Sequence, residues 1–149
     1  MGTSRHNTMA GFTLVELMIV VAIIAIMASI ALPRMGQAIR AAIEARTKAN
    51  LNAVRTALAT YYGDRQTYPT DHVGDLVDKG YLPNGLPMIW EPPYHAEGNG
   101  VCVGPLTVDT LNNCTDAYVY DNDPTSPTWG SVILSCVHQD LRGRVWSSY

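Results

Sequence analysis

The stretch from Gly11 to Pro33 constrains this chain more than any other. It reads Gly-Phe-Thr-Leu-Val-Glu-Leu-Met-Ile-Val-Val-Ala-Ile-Ile-Ala-Ile-Met-Ala-Ser-Ile-Ala-Leu-Pro, a predominantly apolar run that carries one carboxylate, Glu16. Phe12 to Leu32 is about 21 residues, or roughly 30 Å of helix, enough to cross a bilayer. A carboxylate at the centre of a bilayer costs roughly 2.5–3.5 kcal/mol on insertion scales. Glu16 therefore either sits off-centre or has a purpose that offsets the cost.

The flanks narrow the choice. Met1 to Gly11 is short and polar, with Arg5 its single charged side chain. A secretory signal has its small-residue cut site after the apolar run. Here the small residue, Gly11, comes first, and a cut after Ala28 or Ala31 would destroy the segment. Charge is divided along the chain. Between Arg34 and Arg55 five basic residues face Glu44 alone, whereas from Gly63 onward eleven acidic residues face four basic ones. An acidic head argues against nucleic acid as a partner, because phosphate binding wants a basic surface.

Gly11-Phe12-Thr13-Leu14-Val15-Glu16, the unbroken apolar run and Pro33 together resemble the class III leader of type IV pilins and type II secretion pseudopilins. The motif spans about a sixth of the chain. The resemblance implies cleavage after Gly11 by a prepilin peptidase and N-methylation of the new N-terminal residue, Phe12. It implies a charge pair between Glu16 and the Phe12 amine of a neighbouring subunit in the apolar core of a filament. An unpaired charge there would cost several kcal/mol, so such a pair sets register as well as stability. The implied partners are identical subunits, other pilins or pseudopilins, the peptidase, an inner-membrane assembly platform and the membrane itself. The implied location is the inner membrane, single-pass with the head in the periplasm, and then a periplasmic or cell-surface filament. Arg34 and Arg40 on the outer flank run against this orientation by the positive-inside rule. The leader outweighs that sparse count, because a dedicated peptidase reads it.

The expected fold is α+β: one long N-terminal helix, half transmembrane and half amphipathic, packed on a small antiparallel sheet. The expected divisions are 1–11 cleaved leader, 12–33 membrane or filament-core helix, 34–62 amphipathic stem and 63–149 globular head. Pro33 removes one backbone hydrogen bond and predicts a kink, helical in an isolated subunit and loosened around 28–36 in a filament. In the stem, Ile39, Ile43, Thr47, Leu51, Val54, Leu58 and Tyr61/Tyr62 recur every three or four residues. Glu44 and Lys48 lie off that stripe as an i,i+4 pair. Gly63 is the expected C-cap. A short helix is expected over 72–79, capped by Thr70 or Asp71 and ended by Gly80. Tyr68-Pro69 and Gly80-Tyr81-Leu82-Pro83 resemble the link between helix and sheet in the same superfamily. Residues 84–113 read as a long loop with short strands over 87–90 and 101–108. Better strands are expected over 117–120, 129–137 and 145–149, the last two joined through a hairpin at 138–143.

The head offers few chemical candidates. Cys102, Cys114 and Cys136 form no C-x-x-C pair, so zinc is not expected. If Tyr118 lies opposite Val132, the same register brings Cys114 to Cys136, the preferred disulfide; Cys102–Cys114 is the alternative. Asp121 and Asp123 flank Asn122 in an acidic loop that could hold calcium, a cation that takes oxygen ligands. Calcium is also what the resemblance to major pseudopilins implies, although the chain lacks their Asp-rich ending. No other cofactor is expected. His72, His95 and His138 are scattered, and no nucleophile–base–acid set appears, so an enzyme is not expected. The sequence reading favours a major-type pseudopilin that polymerises to drive protein export through a type II secretion system. The alternative is a type IVa pilin forming surface fibres for adhesion, motility or DNA uptake.

Overall fold

A computed structural model describes residues 11–70, 72–91 and 94–149. The leader ahead of Gly11 and the candidate cap Asp71 lie outside these residues. The elements run α1 (Leu14–Arg65), α2 (Asp75–Asp78), β1 (Ile89–Glu91), β2 (His95–Gly98), β3 (Val101–Val103), α3 (Val108–Asn113), β4 (Tyr118–Tyr120) and β5 (Val132–Leu134), followed by a 3-10 turn at Trp146–Ser148. The chain divides after Ala38 into two compact units.

The first unit is the apolar start of α1. Its side chains from Leu14 to Leu32 face outward, most of them more than half exposed. The Ser29 hydroxyl donates locally to the Ile26 carbonyl at 2.7 Å. Helical structure continues through Pro33, as expected for an isolated subunit.

In the second unit α1 presents Thr47, Leu51, Val54, Ala57, Leu58 and Tyr61 to the head, all buried. This is the predicted stripe from Thr47 to Tyr61; Ile39 remains 56% exposed, Ile43 is half-buried and Tyr62 is exposed. Against it pack Leu76, Tyr118, Tyr120, Val132, Leu134 and Trp146. Thr47 does more than fill space. Its hydroxyl donates to the Trp90 carbonyl at 2.7 Å and accepts from the Trp90 amide at 3.2 Å, fixing β1 to the helix. The phenols of Tyr118 and Tyr120 donate to the Pro87 and Pro69 carbonyls at 2.7 and 2.8 Å. Burial pushes both phenols above their ordinary range.

The sheets are not purely antiparallel. β1 and β2 form an antiparallel pair with a bulge, while β3 runs parallel to β4 and β5 antiparallel to β4. The parallel step exists because α3 occupies the crossover between β3 and β4. Residues 145–149, expected as a strand, include instead the 3-10 turn. Trp146 and Ser147 direct their amides to the carbonyls of His138 and Cys136, at 3.0 and 2.9 Å, and Trp146 enters the core. The hairpin at 138–143 is present as a tight turn with a single bridge, Gln139 to Val145. Helix α2 is shorter than expected and has no side-chain cap on Gly74; the His72 Nδ1 accepts the Gly74 amide instead, at 3.0 Å.

Two further corrections concern α1. Glu44 and Lys48 do not pair with each other. Glu44 is buried and accepts the Leu141 amide at 2.9 Å, and Lys48 pairs with Asp140 at 2.6 Å. Nor does α1 stop at Gly63. It runs to Arg65 and ends on Gln66, at φ +57° in the left-handed region. The Gln66 side chain compensates in part by donating to the Gly63 carbonyl at 3.1 Å. Because glycine adopts this conformation without steric cost, Gln66→Gly is expected to raise stability by about 0.5–1 kcal/mol in urea unfolding.

Candidate functional site

The residues of the leader motif lie at the start of α1. Gly11 and Phe12 precede the helix in irregular, exposed chain, and Phe12 is 78% exposed. Among the described residues, a Cβ added at Gly11 would meet nothing within 4 Å. Thr13 caps α1. Its amide and hydroxyl both donate to Glu16 Oε2, at 2.9 and 2.8 Å, and its hydroxyl accepts the Glu16 amide at 3.2 Å. This is a capping box, and Thr13-x-x-Glu16 is its sequence signature. The sequence reading treated Glu16 only as a partner for another subunit. The structure gives it a second task within its own chain, at the helix end where a negative charge is favoured.

In the head the acidic loop holds itself. Asp121 is fully buried; its Oδ2 accepts the Ser126 and Thr128 hydroxyls at 2.6 Å each, and its Oδ1 accepts the Asp123 amide at 3.0 Å. Asp123 Oδ1 accepts the amide and hydroxyl of Thr125 at 2.8 and 2.7 Å. These bonds to Thr125 hold the Asp123 carboxyl below its ordinary range. Calcium at Asp121 would have to displace hydrogen bonds already formed, so the geometry lends that expectation no support.

The disulfide joins Cys102 to Cys114, with a Cα–Cα distance of 5.9 Å. The preferred Cys114–Cys136 pairing is thereby corrected in favour of the alternative. The reason is register. Tyr118 lies opposite Leu134, not Val132, a shift of two residues that moves Cys136 away from the position facing Cys114. The observed bond closes the β3–α3 segment, with Cys114 as the C-cap of α3. A ring of this size is worth about 3 kcal/mol in the chain-entropy account. A Cys102→Ser/Cys114→Ser double variant is therefore expected to lose about that much stability in urea unfolding, matching the wild type under full reduction.

Cys136 is buried outside this disulfide. Its Sγ lies 3.2 Å from His138 Nδ1. The ring of His138 lies 5.2 Å from that of His95 and is stacked on Tyr94 at 4.0 Å. Two of the histidines that appear scattered in the sequence thus converge on one cysteine. The local signal for this was Cys136-x-His138, since alternate residues of an extended segment share a face. His72 stays apart, at the start of α2.

Comparison with known proteins supplies what geometry cannot. Residues 7–32 match the prokaryotic N-terminal methylation motif. The chain is 42% identical over 83 residues to the type IV major pilin protein PilA of Myxococcus xanthus (strain DK1622), an alignment covering 54% of this chain and 38% of that relative. The chain thus spans well under half the length of the curated relative it matches. No solved structure matches. The chain thus carries the methylation motif on an exposed apolar helix, the continuation of that helix packs on an α+β head, and its similarity to a type IV major pilin reaches beyond the motif.

Proposed function

We propose that this chain is the repeating subunit of a type IVa-like surface pilus. The pseudopilin reading favoured by the sequence gives way to its alternative. The observation that carries the change is the 83-residue similarity to a protein named as a type IV major pilin. The methylation motif alone covers only residues 7–32 and is shared by both classes, so it does not discriminate.

In this reading the peptidase cuts after Gly11, Phe12 becomes a methylated N-terminal amine, and the helix waits in the inner membrane with the head in the periplasm. The Cys102–Cys114 disulfide suits an oxidising compartment. An assembly platform then moves the helix from lipid into a filament of like subunits. Both Thr13 bonds fall on Glu16 Oε2, which leaves Oε1 to receive a neighbour's Phe12 amine. One carboxylate then caps its own helix and pairs with the next subunit. Pro33 gives the helix a place to loosen during that transfer.

Substitutions at the two capping residues separate the roles. Glu16→Gln retains a side chain that serves in a capping box but loses the charge; Thr13→Ala retains the charge and loses the cap. The expected result is that Glu16→Gln leaves processed protein in the membrane without fibres, while Thr13→Ala still assembles. Normal fibres from Glu16→Gln would refute the charge pair. Deleting the gene tests the assembly itself: loss of surface fibres and surface motility supports the pilus, whereas loss of protein export with fibres intact would restore the pseudopilin.

A further inference from the structure

We propose that Cys136, His138 and His95 form a zinc site on the head, with a fourth coordination position open to solvent or to a neighbouring subunit. The ligand atoms of the three residues all lie within 4.8 Å of one another. Zinc bonds to sulfur at about 2.3 Å and to imidazole nitrogen at about 2.0–2.1 Å, so tetrahedral ligands stand roughly 3.3–3.8 Å apart. Cys136 Sγ and His138 Nδ1 are already 3.2 Å apart. The remaining closure falls to His95, which is exposed and opens β2.

Two features show that the pair on the 136–138 segment is held in position. The carbonyls of Cys136 and His138 accept the amides of Ser147 and Trp146, so the backbone carrying both ligands is fixed. Tyr94 stacks on the His138 ring with an interplanar angle of 4°, which sets the orientation of the imidazole. Burial grades outward from Cys136 through His138 to exposed His95, so an ion would enter from the solvent side and meet the sulfur last.

The donor set restricts the ion to borderline and soft metals, of which zinc is the one proposed. One thiolate and two imidazoles suit zinc and exclude calcium or magnesium, which take oxygen ligands. Binding converts the Cys136 thiol to a thiolate, forming a Zn–S bond and releasing one proton to solvent. The pattern departs from paired C-x-x-C spacing because the third ligand comes from another strand.

The test uses the mature full-length chain, purified in detergent without a polyhistidine tag, with zinc chloride or cobalt chloride as the probe. The wild type is expected to retain one zinc per chain. Cobalt should give a thiolate-to-metal charge-transfer band, and zinc at a hundredfold excess over its Kd should raise Tm by about 10 °C. His95→Ala and Cys136→Ser should each weaken binding by at least about 100-fold, since even an outer partner of a metal site is worth roughly 10–100-fold. His95→Ala is the safeguard against misfolding: it removes an exposed side chain at the start of β2, and its far-UV circular dichroism should match that of the wild type. No stoichiometric zinc in the wild type would overturn the site. Equal retention by both variants would overturn it too, as an adventitious ion only.

Discussion

Asp140→Ala is expected to cost the head about 2–4 kcal/mol, somewhat below the range for breaking a fully buried ion pair because the Lys48 side chain is 23% exposed. The Asp140 side chain is fully buried and forms the hub of the C-terminal turn. Its Oδ2 accepts Lys48 Nζ at 2.6 Å and the Tyr149 hydroxyl, and its Oδ1 accepts the amides of Arg142 and Arg144 at 2.9 Å each. Alanine would leave an ammonium, a phenol and two amides without their acceptor. Lys48 would keep the faces of Tyr149 and Trp146, at 4.2 and 5.1 Å, which soften the loss without replacing a carboxylate. Arg46–Glu97 provides the control. It is similarly close, at 2.7 Å, but its side chains are 59% and 38% exposed, so Arg46→Ala should cost less than about 1 kcal/mol.

The same hub fixes the acid response. Burial alone would push the Asp140 carboxyl up. The hydrogen bonds from Lys48, Tyr149 and the amides of Arg144 and Arg142 outweigh it and hold the carboxyl well below its ordinary range. A group depressed in the fold stabilises fully above its unfolded value, near about 3.9, and loses that contribution as pH falls through the folded value. Urea midpoints should therefore decline below about pH 4 in the wild type, and more shallowly in Asp140→Ala. An unchanged acid slope in the variant would remove Asp140 from this role.

How much of this was legible in the sequence differs by level. The methylation motif was readable outright, because a short residue pattern and a membrane-length apolar run are properties of the covalent chain. The buried stripe from Thr47 to Tyr61 was readable from its period. Glu16 was readable only in part: the Thr13-x-x-Glu16 capping signature was present but masked by the cost of a charge in an apolar run. The sheet register was not readable. Pairing Tyr118 with Val132 or with Leu134 puts the same side chains on the same faces, since the strand period is two, and hydrophobic pattern cannot choose between them. The disulfide followed that two-residue choice. Lys48 finding Asp140 ninety-two residues away, rather than Glu44 one turn away, depended on the path of the C-terminal turn. So did the meeting of His95 with Cys136 and His138, which joins a strand start to the segment after β5.

The turn that brings the chain into β5 carries the other large expected effect. Gly130→Ala should cost about 2–5 kcal/mol. Gly130 has φ +79°, where an L side chain is disfavoured by about 1–2 kcal/mol. A Cβ there would also stand 2.3–2.5 Å from the ring of Tyr68, and overpacking a filled site adds about 1–3 kcal/mol. The ring cannot simply swing aside, because it stacks on Tyr62 at 4.6 Å and meets Trp129 edge-on at 5.1 Å. The backbone cannot yield freely either, since the Gly130 amide donates to the Asp121 carbonyl at 2.8 Å and the Asp121 amide to the Ser131 carbonyl at 3.0 Å. Strain at Gly130 is thus passed to the loop that Asp121 locks and to the segment joining α1 to α2. Gly143 isolates the conformational part. It has φ +77° with nothing within 4 Å of an added Cβ, so Gly143→Ala should lose only about 1–2 kcal/mol. The difference between the two variants in urea unfolding measures the ring contact. Equal losses would mean that Tyr68 moves away at no cost, and that the aromatic cluster does not clamp the head to its helix.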